Sequence, residues 1–174
     1  MEIRNKEVLP PHNKAVLLVG NHTSWLDKLL VSFATLRHTW FVTGDFILDV
    51  PVMNWIVKQV GIIQMRRGCG KQGIELAVNK LKEGKIVCIF PEGVLTSDGE
   101  IQRFRTGVGI IQKAAQVPVI PFYIDGAYDI WSFKYKLPRL FRKATITFGE
   151  PFLPQEEKES DIAQEIKAKV LELK

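Results

Sequence analysis

Long apolar runs are missing from this sequence of 174 residues. The longest, such as 15–20 and 86–90, have the length of one strand, well short of the roughly 20 residues that span a bilayer. The opening segment, MEIRNKEVLPPHNK, has no apolar stretch of the signal-peptide type. Mean hydropathy is +0.02 and 46% of the residues are hydrophobic, which argues against disorder and predicts one globular domain over 1–174.

Cysteine is scarce, since Cys69 and Cys88 are the only two. Without histidines at metal-binding spacing they make no zinc site, so we expect free thiols in a reducing compartment and no metal. The net charge is +5 and the isoelectric point is near 9.2. A basic chain suits nucleic acid, anionic lipid or an acidic partner protein, and composition alone does not choose among them.

Strand-like and helix-like segments alternate along the chain. Apolar segments predict buried strands, and 71–82 repeats apolar residues at helical spacing before Gly84. The alternation predicts an α/β fold, an αβ sandwich with a largely parallel sheet. Pro118 and Pro121 predict that the strand over 117–124 lies at an edge or a bulge. The remaining strands are predicted at 15–20, 40–43, 61–65, 85–90 and 144–148, and the helices at 27–36, 51–60, 71–82, 106–116 and 162–170.

The segment NHTSWLD at 21–27 follows a predicted buried strand, a position where loops commonly build sites. His22 and Asp27 are separated by four residues across a turn into a helix. The carboxylate can therefore hold one imidazole nitrogen and leave the other as a general base. We predict His22 and Asp27 as the catalytic pair. The alternative is a histidine that caps the helix or fills a polar pocket.

Two further segments are candidates for binding. FPEGVLTSDGE at 90–100 follows another predicted strand, where Pro91 and Gly93 predict a tight turn with Glu92 at its tip. The alternative is an ordinary turn with a solvated glutamate. GIIQMRRG at 61–68 contains two adjacent arginines, which either bind phosphate through paired hydrogen bonds or form a solvated basic loop.

Together and in this order, the motifs resemble those of the glycerophospholipid acyltransferase family. NHTSWLD is similar to its N-H-x-S-x-x-D block, FPEG to its F-P-E-G block, and VPVIP at 117–121 to its V-P-V-x-P block. Arg67 matches the arginine that closes its G-x-I-x-x-x-R block. The resemblance implies a glycerol-3-phosphate acyltransferase-like fold with a groove for an acyl chain.

The resemblance also implies an activity. An acyl group would pass from a thioester of acyl carrier protein or coenzyme A to the free hydroxyl of a lysophospholipid such as lysophosphatidylethanolamine. His22 would be the base and Asp27 its partner, with no metal or bound cofactor. The polar head of the acceptor would be held by Arg67, Glu92 and Gly93.

One departure from the family pattern bears on the acceptor. Members that acylate phosphate monoesters usually continue F-P-E-G-T-R-S, whereas Leu95 stands here in place of the arginine. Positive charge lies downstream instead, at Arg103 and Arg105, which we count among the substrate-binding residues. The pattern is more similar to members that act on lysophospholipids, including the acyltransferase part of fused acyltransferase/acyl-carrier-protein synthetase enzymes. We therefore expect a phosphodiester head group, with lysophosphatidic acid as the alternative if either arginine replaces the missing one.

A second departure is that only 20 residues precede Asn21, fewer than in many members. We expect either a compact form of the domain or a piece of a longer protein. Two other functions stay open on the sequence. A thioesterase-like hydrolase would use water as acceptor and would not need the arginines. A non-catalytic module that binds lipid or carrier protein would not need the His–Asp pair.

The segment WSFKYKLPRLFRK at 131–143 combines five lysines and arginines with four aromatic residues and no acid. Such a mixture suits an anionic lipid surface. Nucleic acid is not expected, because no RNA- or DNA-binding motif accompanies it, and a solvated loop is the other alternative. We expect a cytoplasmic protein, peripheral on the inner face of the membrane, with 46–56 as a second apolar candidate for membrane or acyl-chain contact. The predicted membrane-binding residues are Trp131, Lys134, Lys136, Arg139, Arg142 and Lys143.

Overall fold

The computed structural model describes residues 1–11, 14–44, 61–65, 70–139 and 141–174. The strands are β1 Glu2–Arg4, β2 Val16–Gly20, β3 Thr39–Gly44, β4 Gly61–Met65, β5 Ile86–Ile89, β6 Val119–Asp125 and β7 Thr145–Phe148. The helices are α1 Asp27–Thr35, α2 Gly70–Lys82, α3 Gly107–Ala115 and α4 Glu159–Leu171. A short 3-10 helix, Lys6–Val8, follows β1.

The strands of the described residues form one sheet in the order β1-β7-β6-β2-β5-β3-β4. Neighbouring strands are parallel except β6 and β7, where Phe122 lies opposite Phe148 in an antiparallel pair. Strand β2 reads VLLVG and is buried throughout, because a central strand of such a sheet is covered on both faces. The predicted α/β class with a largely parallel sheet is confirmed.

Helices cover both faces of the sheet. Val108 of α3 and Ile166 of α4 lie in one buried cluster with Leu17 of β2. Val31 of α1 lies in a second cluster with Leu18. Because successive residues of a strand point to opposite faces, β2 supplies both layers of the core.

The order of the strands places two loops side by side. β2 and β5 are parallel neighbours, and Val19 near the end of β2 lies opposite Ile89 at the end of β5. The loops that follow them therefore start at the same edge of the sheet, which is where open α/β sheets carry their sites. The loop after β2 carries the NHTSWLD motif, and the loop after β5 begins with the FPEG motif.

The prolines predicted that their strand lies at an edge or a bulge, and the edge is wrong, because β6 lies between β2 and β7. Pro118 precedes β6, and the carbonyl of Pro121 accepts a 2.8 Å hydrogen bond from the N–H of Gly149, one residue beyond β7. The N and O atoms of one strand residue point to the same side. The N–H that Pro121 lacks would therefore face the place where β7 ends, and pairing with β2 is unaffected.

Other differences from the sequence predictions are small. The helix predicted over 51–60 lies outside the described residues. β1 has no counterpart among the predicted strands, because EIR is too short to carry a period-two pattern. None of the helices in the described ranges is long and apolar enough to cross a bilayer.

Candidate active site

The loop between β2 and α1 is built around the carboxylate of Asp27. One oxygen, Oδ2, accepts hydrogen bonds from the backbone N–H groups of Thr23 at 2.7 Å and Ser24 at 2.8 Å. The same oxygen lies 2.9 Å from Nδ1 of His22. Asp27 is fully buried and is the first residue of α1, where the helix dipole favours an anion. The loop therefore fixes the carboxylate, and the carboxylate fixes the imidazole.

The geometry assigns a role to each nitrogen of His22. An ionised carboxylate only accepts, so the proton of the neutral ring lies on Nδ1 and Nε2 is left unprotonated, as a general base would need it. The ring stacks on Phe90 with centroids 4.4 Å apart. Burial lowers the pKa of His22, the hydrogen bond to Asp27 raises it, and the charge of Lys28 lowers it, with a net lowering. A lowered pKa keeps the imidazole neutral, as a general base must be.

Two buried polar atoms of this loop have no hydrogen-bond partner among the described residues. They are the second carboxylate oxygen of Asp27, Oδ1, and the hydroxyl Oγ1 of Thr23. Buried polar groups in proteins are nearly always paired, so these two are candidates to bond a substrate or a water beside His22.

Glu92 connects the FPEG turn to the loop that carries His22. Its Oε1 accepts the backbone N–H of His22 and its Oε2 that of Gln102, both at 2.7 Å. The side chain is 3% exposed, and burial raises the pKa of Glu92 against the opposing effect of the two hydrogen bonds. A third bond joins the N–H of Thr96 to the carbonyl of His22 at 3.0 Å. Glu92 is thus not a solvated turn residue, and its assignment to the acceptor head group stays a prediction.

Gly93 forms the turn that the sequence predicts. Its φ of +74° lies in the left-handed region that favours glycine. An added Cβ would lie 2.8 Å from Cζ of Arg105, so the guanidinium packs directly against this turn. Arg105 is held there by its own backbone N–H, which donates to the carbonyl of Pro91 at 2.9 Å.

The other predicted arginines are placed differently. Arg103 is exposed on the same irregular segment as Arg105. Arg67 lies outside the described residues, as does the apolar segment 46–56. Leu95, where monoester enzymes of the family usually carry arginine, is buried at 8% exposure. The structure therefore brings one of the downstream arginines to the turn, and this is Arg105.

Sequence reasoning missed two residues of the site. The side chain of Asn21 bonds Ile124 of β6 in both directions, with its Nδ2 donating at 2.9 Å and its Oδ1 accepting at 2.8 Å. Its amide thus extends the β2–β6 ladder by one more pair and anchors the start of the loop. Lys28 is the second. It is 4% exposed, and its ammonium lies 5.6 Å from the centre of the Phe90 ring. Nothing in the pattern of the sequence distinguishes a buried lysine from a solvated one.

The basic segment 131–143 packs against the loop that carries His22. The carbonyl of Trp131 accepts the N–H of Trp25 at 3.0 Å and the hydroxyl of Ser24 at 2.8 Å. The rings of Trp25 and Phe133 meet edge to face at 5.3 Å. Among the described residues of the segment, three large apolar side chains are exposed: Phe133 at 61%, Leu137 at 78% and Phe141 completely.

Within the described ranges, no cluster of three or more His, Cys, Asp or Glu side chains is arranged to hold a metal ion. What the site offers is a buried carboxylate that orients a neutral histidine at the carboxyl edge of a parallel sheet. This defines a site for general-base chemistry.

Residues 1–125 match the family model described as Acyltransferase, and because that is more than half of the chain, the chain belongs to this family.

Known relatives agree with the family assignment. The chain is 29% identical over 137 residues to a chloroplastic 1-acyl-sn-glycerol-3-phosphate acyltransferase of Brassica napus, covering 74% of this chain and 38% of that protein. It is 30% identical over 117 residues to a lyso-ornithine lipid O-acyltransferase of Pseudomonas aeruginosa, covering 66% and 44% respectively. The sequence resemblance to the glycerophospholipid acyltransferase family is confirmed. The finer likeness to the fused acyl-carrier-protein synthetase enzymes stays a prediction.

A solved structure shares the fold. The crystal structure of the 1-acyl-sn-glycerophosphate acyltransferase PlsC from Thermotoga maritima matches with a TM-score of 0.73, over 99% of this chain and 71% of that one, at 23% identity. The chain spans 37% to 53% of the length of curated plant and mycoplasma relatives.

Proposed function

We propose that this protein transfers a fatty acyl group from a thioester to the free hydroxyl of a lysophospholipid. The observation that carries the proposal is the 2.9 Å contact between His22 Nδ1 and the buried carboxylate of Asp27. Relatives named as acyltransferases of 1-acyl-sn-glycerol-3-phosphate and of lyso-ornithine lipid support the acceptor class.

The proposed nucleophile is the hydroxyl of the acceptor. Cys88 is buried, and burial raises the pKa of its thiol well above the usual value, so it is not a thiolate. The hydroxyl of Ser24 donates its proton to the carbonyl of Trp131 at 2.8 Å and is therefore already engaged. With neither Cys88 nor Ser24 available to the base, direct attack by a substrate hydroxyl is the reaction that we propose.

The proposed reaction proceeds in two steps. His22 Nε2 removes the proton from the acceptor hydroxyl while the oxygen attacks the thioester carbonyl, forming a C–O bond and a tetrahedral oxyanion. Asp27 stabilises the resulting imidazolium. Collapse of the oxyanion breaks the C–S bond, and the leaving thiolate takes the proton back from Nε2. The products are the diacyl lipid and a free thiol, and His22 is neutral again.

The proposal is tested by incubating the protein with a labelled acyl thioester, with and without lysolipid. Formation of labelled diacyl lipid only when lysolipid is present supports transfer. Release of labelled fatty acid at the same rate without lysolipid would indicate a thioesterase, and no consumption of thioester would indicate a binding module. Acyl-coenzyme A and acyl-carrier protein are compared as donors in parallel.

For the head group of the acceptor, we propose a phosphodiester such as that of lysophosphatidylethanolamine. Leu95 is buried and apolar where monoester enzymes usually carry a cation. A monoester phosphate bears about two negative charges and a diester only one, so binding a monoester needs more positive charge. One observation favours the second candidate, lysophosphatidic acid, because the guanidinium of Arg105 packs against Gly93 and supplies a cation at this turn.

A competition at equal concentration separates the two acceptors. Preference for lysophosphatidylethanolamine supports the first candidate, and a tenfold preference for lysophosphatidic acid supports the second. Arg105→Gln gives an independent check, with Arg103→Gln as the matched control. Both arginines are exposed on this segment, but the atoms nearest to a Cβ at Gly93 are those of Arg105. If Arg105 binds the monoester phosphate, its variant should raise the acceptor KM about tenfold or more, since a charged hydrogen bond is worth about 1.5–3 kcal/mol.

We also propose that the segment 131–143 docks the protein on the anionic inner face of a cytoplasmic membrane. Exposed Phe133, Leu137 and Phe141 alternate with five cations and no acid. Apolar side chains can enter the lipid interface while the cations contact its head groups. Because Trp131 is hydrogen-bonded to the loop that carries His22, docking would present the site to acceptors in the bilayer.

Vesicle sedimentation tests this docking surface. Each cation near an anionic surface contributes about 1 kcal/mol, so removing five should abolish binding at moderate salt. A control with the same charge change carries Gln at five exposed lysines elsewhere, and it should still bind. Equal binding by both variants would place the membrane face outside this segment. The test variant replaces Lys134, Lys136, Arg139, Arg142 and Lys143, and the control replaces Lys6, Lys14, Lys82, Lys85 and Lys158.

A further inference from the structure

Lys28 is a charged residue in an unusual place. It follows Asp27 in α1 and is only 4% exposed, whereas lysines are almost never fully buried without a partner. Its ammonium makes no salt bridge or hydrogen bond to any residue in the described part of the chain. The ammonium instead makes a cation–π contact with Phe90, 5.6 Å from the centre of the ring.

Phe90 connects this ammonium to the catalytic histidine. The imidazole of His22 stacks on the same ring with centroids 4.4 Å apart, so the Lys28 charge lies within about 10 Å of the imidazole. Phe90 belongs to a buried cluster of apolar and aromatic side chains, and such surroundings screen charge much less than water does.

In the part of the chain that the structure describes, three titratable groups interact with the charge of Lys28. Asp27 and His22 come from its own helix and the loop before it, and Cys88 comes from β5. Strands β3 and β7, on which α1 packs, carry no titratable side chain. Burial raises the pKa of Cys88, so its thiol is neutral. Among these groups, Lys28 therefore acts on the charges of Asp27 and His22.

We propose that Lys28 is a positioning residue whose buried ammonium, set against Phe90 beside the dyad, holds His22 in its neutral, proton-accepting form. Asp27 attracts a proton to the imidazole and would by itself favour imidazolium in the resting protein. The ammonium repels that proton and balances the buried carboxylate. The link to catalysis rests on the proposed acyl transfer, but the effect on His22 does not.

The direction of the pKa values agrees with this role. Burial is the largest cause that lowers the pKa of His22, and the charge of Lys28 lowers it further. Burial lowers the pKa of Lys28 itself to about 8, partly offset by the charge of Asp27. The ammonium is therefore present at and below neutral pH, where His22 titrates, and its effect is lost as the pH rises through about 8.

The experiment is an NMR titration of the imidazole of His22 in wild-type protein and in Lys28→Met, Lys28→Arg and Lys28→Gln. The chain has three histidines, so the His22 signals are assigned as those absent from His22→Gln. Loss of a unit charge at about 10 Å should raise the midpoint of His22 by about 0.3–1.2 pH units in the Met and Gln variants. Lys28→Arg keeps the charge and should keep the wild-type midpoint. Lys85→Met, at an exposed lysine, is the control for charge change alone.

The acid limb of the pH–rate profile should move with the NMR midpoint. A midpoint in Lys28→Met and Lys28→Gln within about 0.1 unit of the wild type would overturn the proposal. Failure of both neutral variants to fold, judged by circular dichroism, would also overturn it. The ammonium would then be required for folding of the core, and not for control of His22. A shifted midpoint in a protein that shows no acyl transfer would support the role of Lys28 while contradicting the proposed function.

Discussion

Replacing Glu92 by Gln should destabilise the protein and slow transfer together. The carboxylate accepts the N–H of His22 and that of Gln102, both at 2.7 Å, while being 3% exposed. Glutamine keeps one accepting oxygen but turns an NH2 group toward the second N–H. Loss of one charge-assisted hydrogen bond costs about 1.5–3 kcal/mol. Burial raises the pKa of Glu92, so removing its charge recovers part of that cost, and we expect a net loss of about 2 kcal/mol.

The assay is urea denaturation followed by tryptophan fluorescence, with transfer measured on the same samples. Glu100→Gln is the matched control, because Glu100 pairs with Lys174 at the surface and exposed pairs contribute about 0–1 kcal/mol. Because Glu92 bonds the backbone of His22, kcat should fall as well. If Glu92→Gln is as stable as the control and raises only the acceptor KM, the carboxylate binds the head group and does not bridge the two loops.

Three further predictions concern the same loops. Asp27→Asn should lower kcat by about 10²–10⁴-fold, since it misorients the imidazole and removes the charge that stabilises imidazolium; a kcat within tenfold of wild type would contradict this. The lowered pKa of His22 means that kcat/KM should fall, as pH drops, with a midpoint below the value of about 6.5 of a free histidine, whereas a midpoint above it would require a raised pKa. Gly93→Ala should cost about 1–2 kcal/mol in urea denaturation, because its φ is +74° and its Cβ would meet Arg105; an unchanged midpoint would mean the turn relaxes freely.

The features that the sequence predicts well are those encoded by neighbouring residues. The apolar run in β2 and the helical periodicity of α2 are visible without the fold, and both elements occur within one residue of the predicted bounds. The His22–Asp27 contact also follows from local spacing, because both residues belong to one turn. That the two motif loops lie side by side follows from the fold, because β2 and β5 are parallel neighbours in the sheet.

The features that the sequence does not predict depend on distant partners. Glu92 bonds a backbone N–H 70 positions earlier, and no pattern around FPEG distinguishes this from a solvated turn. Pro121 is tolerated within a central strand only because β7 ends opposite it, which depends on the length of another strand. The burial of Lys28 depends on Phe90 and on the packing of α1 against the sheet. Each of these is a tertiary contact that overrides a local preference.

The most direct test of the catalytic account is transfer by His22→Ala. Purified wild type and variant, matched by circular dichroism, are given a labelled acyl thioester and lysophosphatidylethanolamine, and the labelled diacyl lipid is counted over time. Loss of the base should slow formation of the product by about 10²–10⁴-fold while vesicle binding through 131–143 is retained. A folded variant that transfers acyl groups at near the wild-type rate would contradict the assignment of His22 as the general base.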